Sequence, residues 1–287
     1  MRYRTVLFSP ANMPSRVNRL LEAGSDVVVL DLEDGVGLEQ KAAARAALRD
    51  FAAELRQKGA GLGVFARIND VRSEFYEEDL SALGPELNGV VLPKTEQASD
   101  LADLRRTLSE RGLSDFQVMA GVETALGVFN VATFLDGGLA DAVYFGAEDF
   151  TADMGGLRSR EGTEVLYARS QVALAARIRS VVAIDQIVAD FEDDELYRLD
   201  ARFGRSLGYV GKLCIHPRQV ALAREAFTPT ARELEDARAL LVAFDEGLAS
   251  GAGVIRFRGQ MIDEPLAKRA AAIVALAAAD QTHGGRP

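Results

Sequence analysis

The chain has 287 residues, 48% of them apolar, with 33 basic and 43 acidic side chains for a net charge of −10. This is enough apolar material for one large core, and the acidic balance argues against nucleic acid or an anionic membrane as the main partner, since both call for a basic footprint. One cysteine, Cys214, and two histidines, His216 and His283, exclude an internal disulfide framework and a Cys- or His-built metal site, so any metal must be held by oxygen ligands.

Along the chain, short runs rich in Val, Ile and Phe recur at a steady interval. They are Thr5–Ser9, Val27–Leu32, Val64–Ile68, Gly89–Leu92, Gln117–Val122, Ala142–Phe145, Val181–Ile184 and Tyr209–Ile215. Each is near-continuous rather than alternating, as suits a strand buried on both faces. Helical periodicity fills the gaps, at Lys41–Lys58, Leu101–Arg111 and Tyr167–Ser180, and Gly24, Gly59, Gly112 and Gly208 stand where left-handed helix ends are expected. Eight strands alternating with helices predict a (β/α)8 TIM barrel, with a doubly wound open sheet as the alternative.

The expected barrel domain is 1–228. A C-terminal helical extension, 229–287, is expected to pack on the barrel and a neighbouring subunit, with helices over Thr230–Leu248 and Glu264–Ala279, an extended piece at Val254–Phe257 and a frayed tail at His283–Pro287. The longest apolar stretch, Ala270–Ala279, is too short to span a bilayer. The segment Met1–Pro10 has no signal-peptide pattern, so the expected location is cytoplasmic.

The active site of such a barrel sits at the C-terminal ends of its strands. Read there, strand two ends in Leu30-Asp31-Leu32-Glu33-Asp34, strand three in Ala66-Arg67-Ile68-Asn69, strand four in Leu92-Pro93-Lys94 and strand five in Val122-Glu123-Thr124. Strand six ends in Glu148-Asp149, strand seven in Asp185 and strand eight in His216-Pro217. Charges straight after buried strands are costly to desolvate unless they bind something, so all seven are expected to face one mouth. Each also has a plainer reading. Asp34 and Asp149 can cap helices, Arg67 and Lys94 can pair with the acids, His216 can be a turn residue, and Cys214 can be a small buried hydrophobe. Gly59–Gly63 precedes a strand rather than following one, so it reads as a turn and not a dinucleotide loop. Glu123 is harder to explain away, because Glu is a poor cap. With Asp149 on the adjacent strand it suggests a Mg²⁺ site, completed by water and a chelating 2-oxo acid, with Arg67 clamping the acid's carboxylate.

These residues resemble the citrate lyase beta subunit and its stand-alone relatives, the citryl-, malyl- and citramalyl-thioester lyases of the Mg²⁺-dependent aldolases. The matching stretches run in order from Leu7–Ala11 through Leu30–Gly35, the Lys41/Arg45 pair, Ala66–Asn69, Val91–Lys94, Val122–Ala125, Phe145–Phe150 and Gly211–Pro217 to Met261–Leu266. The resemblance implies a barrel assembled as a trimer, metal ligands at Glu123 and Asp149, and a carboxylate-binding arginine at Arg67. It also implies a catalytic carboxylate at Asp263 that reaches a neighbouring subunit's mouth. From pattern alone, Asp263 before Glu264-Pro265 reads as a helix cap. Gly37–Gln40 departs from the family, where many relatives carry proline.

The chemistry implied is retro-Claisen cleavage of a 3-hydroxyacyl thioester to an acetyl-type thioester and a 2-oxo acid such as oxaloacetate, or the reverse. Lys94 is expected to help stabilise the enolate or orient the acids, with Glu33 and Asp34 in supporting places. Three alternatives stay open: a citrate lyase subunit acting on an acyl-carrier protein, a pyruvate-type aldolase without a thioester, and a silent binding module.

Overall fold

A computed structural model describes residues 1–283 of the chain. The chain divides into two compact units, Met1–Phe227 and a second that begins at Thr228. In the first, eight strands alternate with helices: β1 (Thr5–Pro10), α1 (Val17–Ala23), β2 (Val27–Asp31), α2 (Lys41–Lys58), β3 (Gly63–Arg67), α3 (Tyr76–Ala82), β4 (Gly89–Leu92), α4 (Ala98–Glu110), β5 (Gln117–Val122), α5 (Ala125–Phe134), β6 (Ala142–Phe145), α6 (Ala147–Asp153), α7 (Leu166–Arg179), β7 (Val182–Asp185), α8 (Asp194–Leu207), β8 (Gly211–Cys214) and α9 (Pro217–Phe227). All neighbouring strands are parallel, and β1 pairs with both β2 and β8, so the sheet closes. Closure rules out the open doubly wound sheet and gives the expected (β/α)8 barrel.

Alternation along each strand builds two cores. Val6, Val29, Phe65, Val91, Met119 and Ile184 fill the barrel interior. Leu7, Leu30, Ala66, Leu92, Val122 and Phe145 point outward and meet the helices. Helix α2 shows why the helices dock: Ala44, Leu48, Phe51, Ala52 and Leu55 recur at helical spacing and are all buried. Helices α1 and α8 stop on left-handed Gly24 (φ 64°) and Gly208 (φ 104°), as expected. Gly59 differs, with φ −106°. It is needed for space instead, since a Cβ there would lie 2.8 Å from both the Leu55 carbonyl and Leu21 Cδ2, and the left-handed turn falls on Gly61 (φ 80°). The Gly59–Gly63 stretch is thus the expected turn.

In the second unit, α10 (Ala231–Ala249) is followed by a hairpin of β9 (Ile255–Phe257) and β10 (Gln260–Ile262), then α11 (Glu264–His283). Thr230 and Glu233 form a reciprocal cap on α10: Glu233 N–H donates to Thr230 Oγ1 at 3.1 Å, and Thr230 N–H donates to Glu233 Oε2 at 2.7 Å. The hairpin's second strand was not foreseen, because three residues are too few to show a period. The expected tail begins later than His283, which still belongs to α11; residues 284–287 lie outside the described residues. Among the described residues no helix is long and apolar enough to cross a membrane.

Candidate active site

At the C-terminal ends of the strands lies a cavity of about 420 Å³. One arc is charged, with Asp31 at the end of β2 and Asp34 after it, Arg67 on β3, Glu123 after β5, and Glu148 and Asp149 in the first turn of α6. The opposite arc is apolar, with Phe8, Pro10, Ile187, Leu213 and Ile215. Not every strand end faces the cavity as expected. Asp185 turns outward, fully buried, and joins Arg169, Lys212 and Asp200 in an ion network against α7 and α8. Asn69 accepts from Lys41 Nζ at 2.9 Å and donates to Asp79. His216 sits on the rim, stacked on Phe191, and Cys214 is buried against the Tyr197 hydroxyl.

Glu123 is buried, with one donor on each oxygen. The Tyr144 hydroxyl donates to Oε1 at 2.6 Å, and the Lys94 amide donates to Oε2 at 2.9 Å. Burial pushes its carboxyl above the usual range, with Asp149 adding to the effect against the pull of Arg67 and Lys94. Two glycines make room for this arrangement. A Cβ on Gly146 would lie 2.6 Å from Glu123 Cγ, and one on Gly121 would lie 2.5 Å from the Tyr144 hydroxyl. Lys94 holds a left-handed backbone (φ 48°), unusual for a residue with a side chain. That backbone presents its amide to Glu123 while its ammonium donates to Glu33 and lies 3.7 Å from Asp149 and 3.8 Å from Asp34. Burial opposes the Lys94 charge, but Glu33, Glu123 and Asp149 outweigh it and hold the ammonium cationic.

Arg67 is already engaged. Its Nε and Nη2 donate to the two oxygens of Asp31, each at 2.7 Å, and Nη1 lies 3.0 Å from Glu33 Oε2. The fork read as a substrate clamp therefore grips Asp31, and only the remaining N–H on each Nη is left for a ligand. Asp31 stays ionised: burial works to raise its pKa, but the charge and hydrogen bonds of Arg67, with the Glu33 and Gly35 amides, outweigh burial and hold it low. Glu33 is pushed up to about 8, first by burial and then by Glu123 and Asp34, against Arg67 and Lys94.

Tyr144 was missed in the sequence, and Asp31, though read at the end of strand two, was given no role. Asp31 reads as one more residue of a buried strand, yet its β-register partner is Arg67. Tyr144 faces Gly121 in the β5–β6 register, and a glycine inside a strand marks close approach of another group. Asp34 and Asp149 cap nothing; Gly146 holds the cap position of α6, and Asp149 accepts no hydrogen bond among the described residues. Asp263 does cap α11, accepting from the Leu266 amide at 3.3 Å, and it belongs to the second unit.

The profile of the HpcH/HpaI aldolase/citrate lyase family matches residues 4–217. The chain belongs to this family. It is 47% identical to a citrate lyase subunit beta-like protein of Deinococcus radiodurans, over 93% of this chain and 94% of that protein. It is 34% identical to the mitochondrial citramalyl-CoA lyase of Homo sapiens, over 96% of this chain and 85% of that protein. Among solved structures it is similar to the Mycobacterium tuberculosis protein CitE in complex with magnesium, acetoacetate and coenzyme A. The TM-score is 0.82 at 34% identity, covering 96% of this chain and 98% of that one. The family expected from the ordered motifs, and its barrel, are those of these relatives.

Proposed function

We propose that this chain is a Mg²⁺-dependent lyase that splits a 3-hydroxyacyl-CoA thioester into a shorter acyl-CoA and a 2-oxo acid. The observation that carries this reading is the donor set at one mouth: Glu123 and Asp149 beside two fixed cations, Arg67 and Lys94. Each Glu123 oxygen keeps a lone pair after its one hydrogen bond, and Asp149 accepts none. Two carboxylates with room for water and substrate oxygens suit Mg²⁺. Among the described residues no group of three or more His, Cys, Asp or Glu side chains is placed to hold a metal ion, so Glu123 and Asp149 would hold it as a pair, with water and substrate oxygens filling the remaining positions. When bound there, the cation supplies Lewis acidity to the substrate's hydroxyl and carboxylate oxygens.

The chain's own residues do the rest. The free Nη hydrogens of Arg67 meet the carboxylate, with Asp31 and Glu33 fixing the guanidinium. Lys94 places positive charge where the enolate develops, and Glu33 and Asp34 orient it. Asp263 takes the hydroxyl proton in cleavage; Glu123 and Asp149 would be taken up by the metal, and Asp31 and Glu33 face Arg67 and Lys94, so we assign Asp263 of a neighbouring chain, in a trimer, to this role. The apolar arc favours a 2-oxo acid with a methyl group, as citramalyl-CoA would release, over oxaloacetate with its second carboxylate.

Citramalyl-, citryl-, malyl- and methylmalyl-CoA supplied with Mg²⁺, assayed for thiol release and 2-oxo acid, test the reading. Turnover that requires Mg²⁺ and disappears in Glu123→Gln, with metal affinity lost by calorimetry, is expected. Unchanged metal affinity in that variant refutes the site. Turnover only with an acyl-carrier protein substrate, or with free hydroxy acids, would turn the assignment to a citrate lyase subunit or a pyruvate aldolase. Mixed oligomers of Asp263→Asn and Glu123→Gln chains should regain activity if Asp263 acts across subunits.

A further inference from the structure

We propose that Lys41 is a positioning residue of the active site: from outside the mouth it pins the backbone of Leu32 and Glu33, and so fixes the Glu33 carboxylate between Arg67 and Lys94. The kinetic consequence rests on the lyase reading above; the placement of Glu33 rests on geometry alone. The Lys41/Arg45 pair stood out in the sequence, yet the chemistry above gives neither residue a task.

Lys41 opens α2 and is buried. Its Nζ donates to three oxygens: the Leu32 carbonyl at 2.7 Å, the Glu33 carbonyl at 3.0 Å and Asn69 Oδ1 at 2.9 Å. Every ammonium hydrogen is used, and none goes to a carboxylate. Successive carbonyls of a strand point to opposite edges. Here two of them converge on one nitrogen, so the chain turns as it leaves β2. The inner side of the same turn is held by Asp31, whose two oxygens accept from the Glu33 amide at 2.9 Å and the Gly35 amide at 2.8 Å. With amides tied on one side and carbonyls on the other, the turn has one way to present its side chain. Glu33 Oε2 lies 3.0 Å from Arg67 Nη1, and Oε1 accepts from Lys94 Nζ. This acid pairs with both cations of the mouth.

The surroundings of Lys41 are built for an ammonium. Its three N–H groups fan out from a point, whereas the planar fork of an arginine would not converge on this trio. Asn69 is turned to receive it: the Asn69 amide and Nδ2 both donate to Asp79, which leaves Oδ1 for Lys41. Asp79 is fully buried and accepts in turn from Arg45 Nη1 at 3.1 Å. Arg45 follows Lys41 by four residues on the same face of α2. The Phe75 ring centroid lies 5.2 Å from Lys41 Nζ and supports the charge. Burying a charge without such partners is costly. A residue that served only to dock α2 would be apolar, as Ala44 and Leu48 are.

The test uses the full chain with Mg²⁺. Lys41→Met is similar in length but lacks donors and charge; Lys41→Gln retains two donors and serves as the second variant should the first misfold. In Lys41→Met, kcat/KM for citramalyl-CoA should fall about 10–100-fold, and the KM for pyruvate in condensation with acetyl-CoA should rise. Mg²⁺ affinity by calorimetry should hold, because Glu123 is gripped by Tyr144 and the Lys94 amide. Lys41→Gln should lie between parent and Lys41→Met. Lys41→Met/Glu33→Gln should be no slower than Glu33→Gln alone, since Lys41 acts through Glu33. A crystal structure of either variant should show the Glu33 carboxylate displaced from Arg67 and Lys94. That displacement in a protein turning over no thioester supports the positioning and sinks the lyase reading instead. A folded variant with a lower Tm but parental kinetics, additive losses in the double variant, or Glu33 unmoved overturns the proposal.

Discussion

Replacing Asp31 with Asn changes one atom type but removes the charge that holds Arg67. Asp31 Oδ1 accepts from Arg67 Nε at 2.7 Å and from the Glu33 amide at 2.9 Å; Oδ2 accepts from Arg67 Nη2 at 2.7 Å and from the Gly35 amide at 2.8 Å. The Asn carboxamide can keep one oxygen in place. Its NH₂ must then face two N–H groups, whichever way it is turned. Arg67 is 13% exposed, so its charge is left inside with only Glu33 at 3.0 Å. Breaking a buried pair by removing one partner costs about 3–5 kcal/mol. At ~2–4 °C per kcal/mol for a unit of this size, Tm should fall by roughly 6–20 °C. Calorimetry measures that loss, and steady-state kinetics should show a raised KM for the 2-oxo acid in the condensation direction, since the guanidinium is no longer fixed. Asp31→Asn/Arg67→Met should be more stable than Asp31→Asn alone, because the uncompensated charge has gone. A single variant melting within about 2 °C of the parent, or a double variant less stable than the single, would refute the claim that the Asp31 charge is what steadies Arg67.

Three further outcomes are expected. Tyr144→Phe should weaken Mg²⁺ binding by about 10–100-fold, read by titration calorimetry, with little change in fold, because only the donor to Glu123 is lost. Gly146→Ala should do the same by steric means: φ −102° suits alanine, so a Cβ 2.6 Å from Glu123 Cγ is the sole insult, costing about 1–3 kcal/mol. Asp200 is held below the usual carboxylate range; burial opposes this, but Lys212 and Arg169 prevail. Its stabilisation is therefore complete above the unfolded pKa of ~3.9 and disappears as pH falls through the lower folded value. Urea titrations below pH 4 should show a flatter loss of stability in Asp200→Asn than in the parent.

The barrel was legible because eight runs buried on both faces carry a strong signal, and the charges after them stand out against apolar neighbours. Glu33, Arg67, Lys94 and Glu123 could be found that way. Polar groups that lie inside a run were overlooked, as Tyr144 was, or given no role, as Asp31 was. Asp31 and Tyr144 occupy ordinary strand positions, and only register shows that they touch Arg67 and Glu123. Asp185 misled for the converse reason. It ends its strand like the others, but strand parity turns it toward α7 and α8, where Arg169 and Lys212 wait. Position along a strand is read from sequence; the side of the sheet is settled by closure.

The staves of this cask are not equally tight. The β1–β2 and β2–β3 ladders each align five residue pairs and β5–β6 aligns four, whereas β7–β8 aligns only two, Ile184 with Gly211 and Asp185 with Lys212. The Asp185–Lys212 ion pair sits on that thin joint like a rivet. Opening should begin there, and amide exchange should be fastest at β7 and β8 and slowest at β2 and β5. The arc bearing Asp31, Arg67 and Glu123 can thus keep its geometry while the arc bearing Ile187 and Ile215 breathes, so one wall of the cavity can yield without loosening the ion pairs of the other.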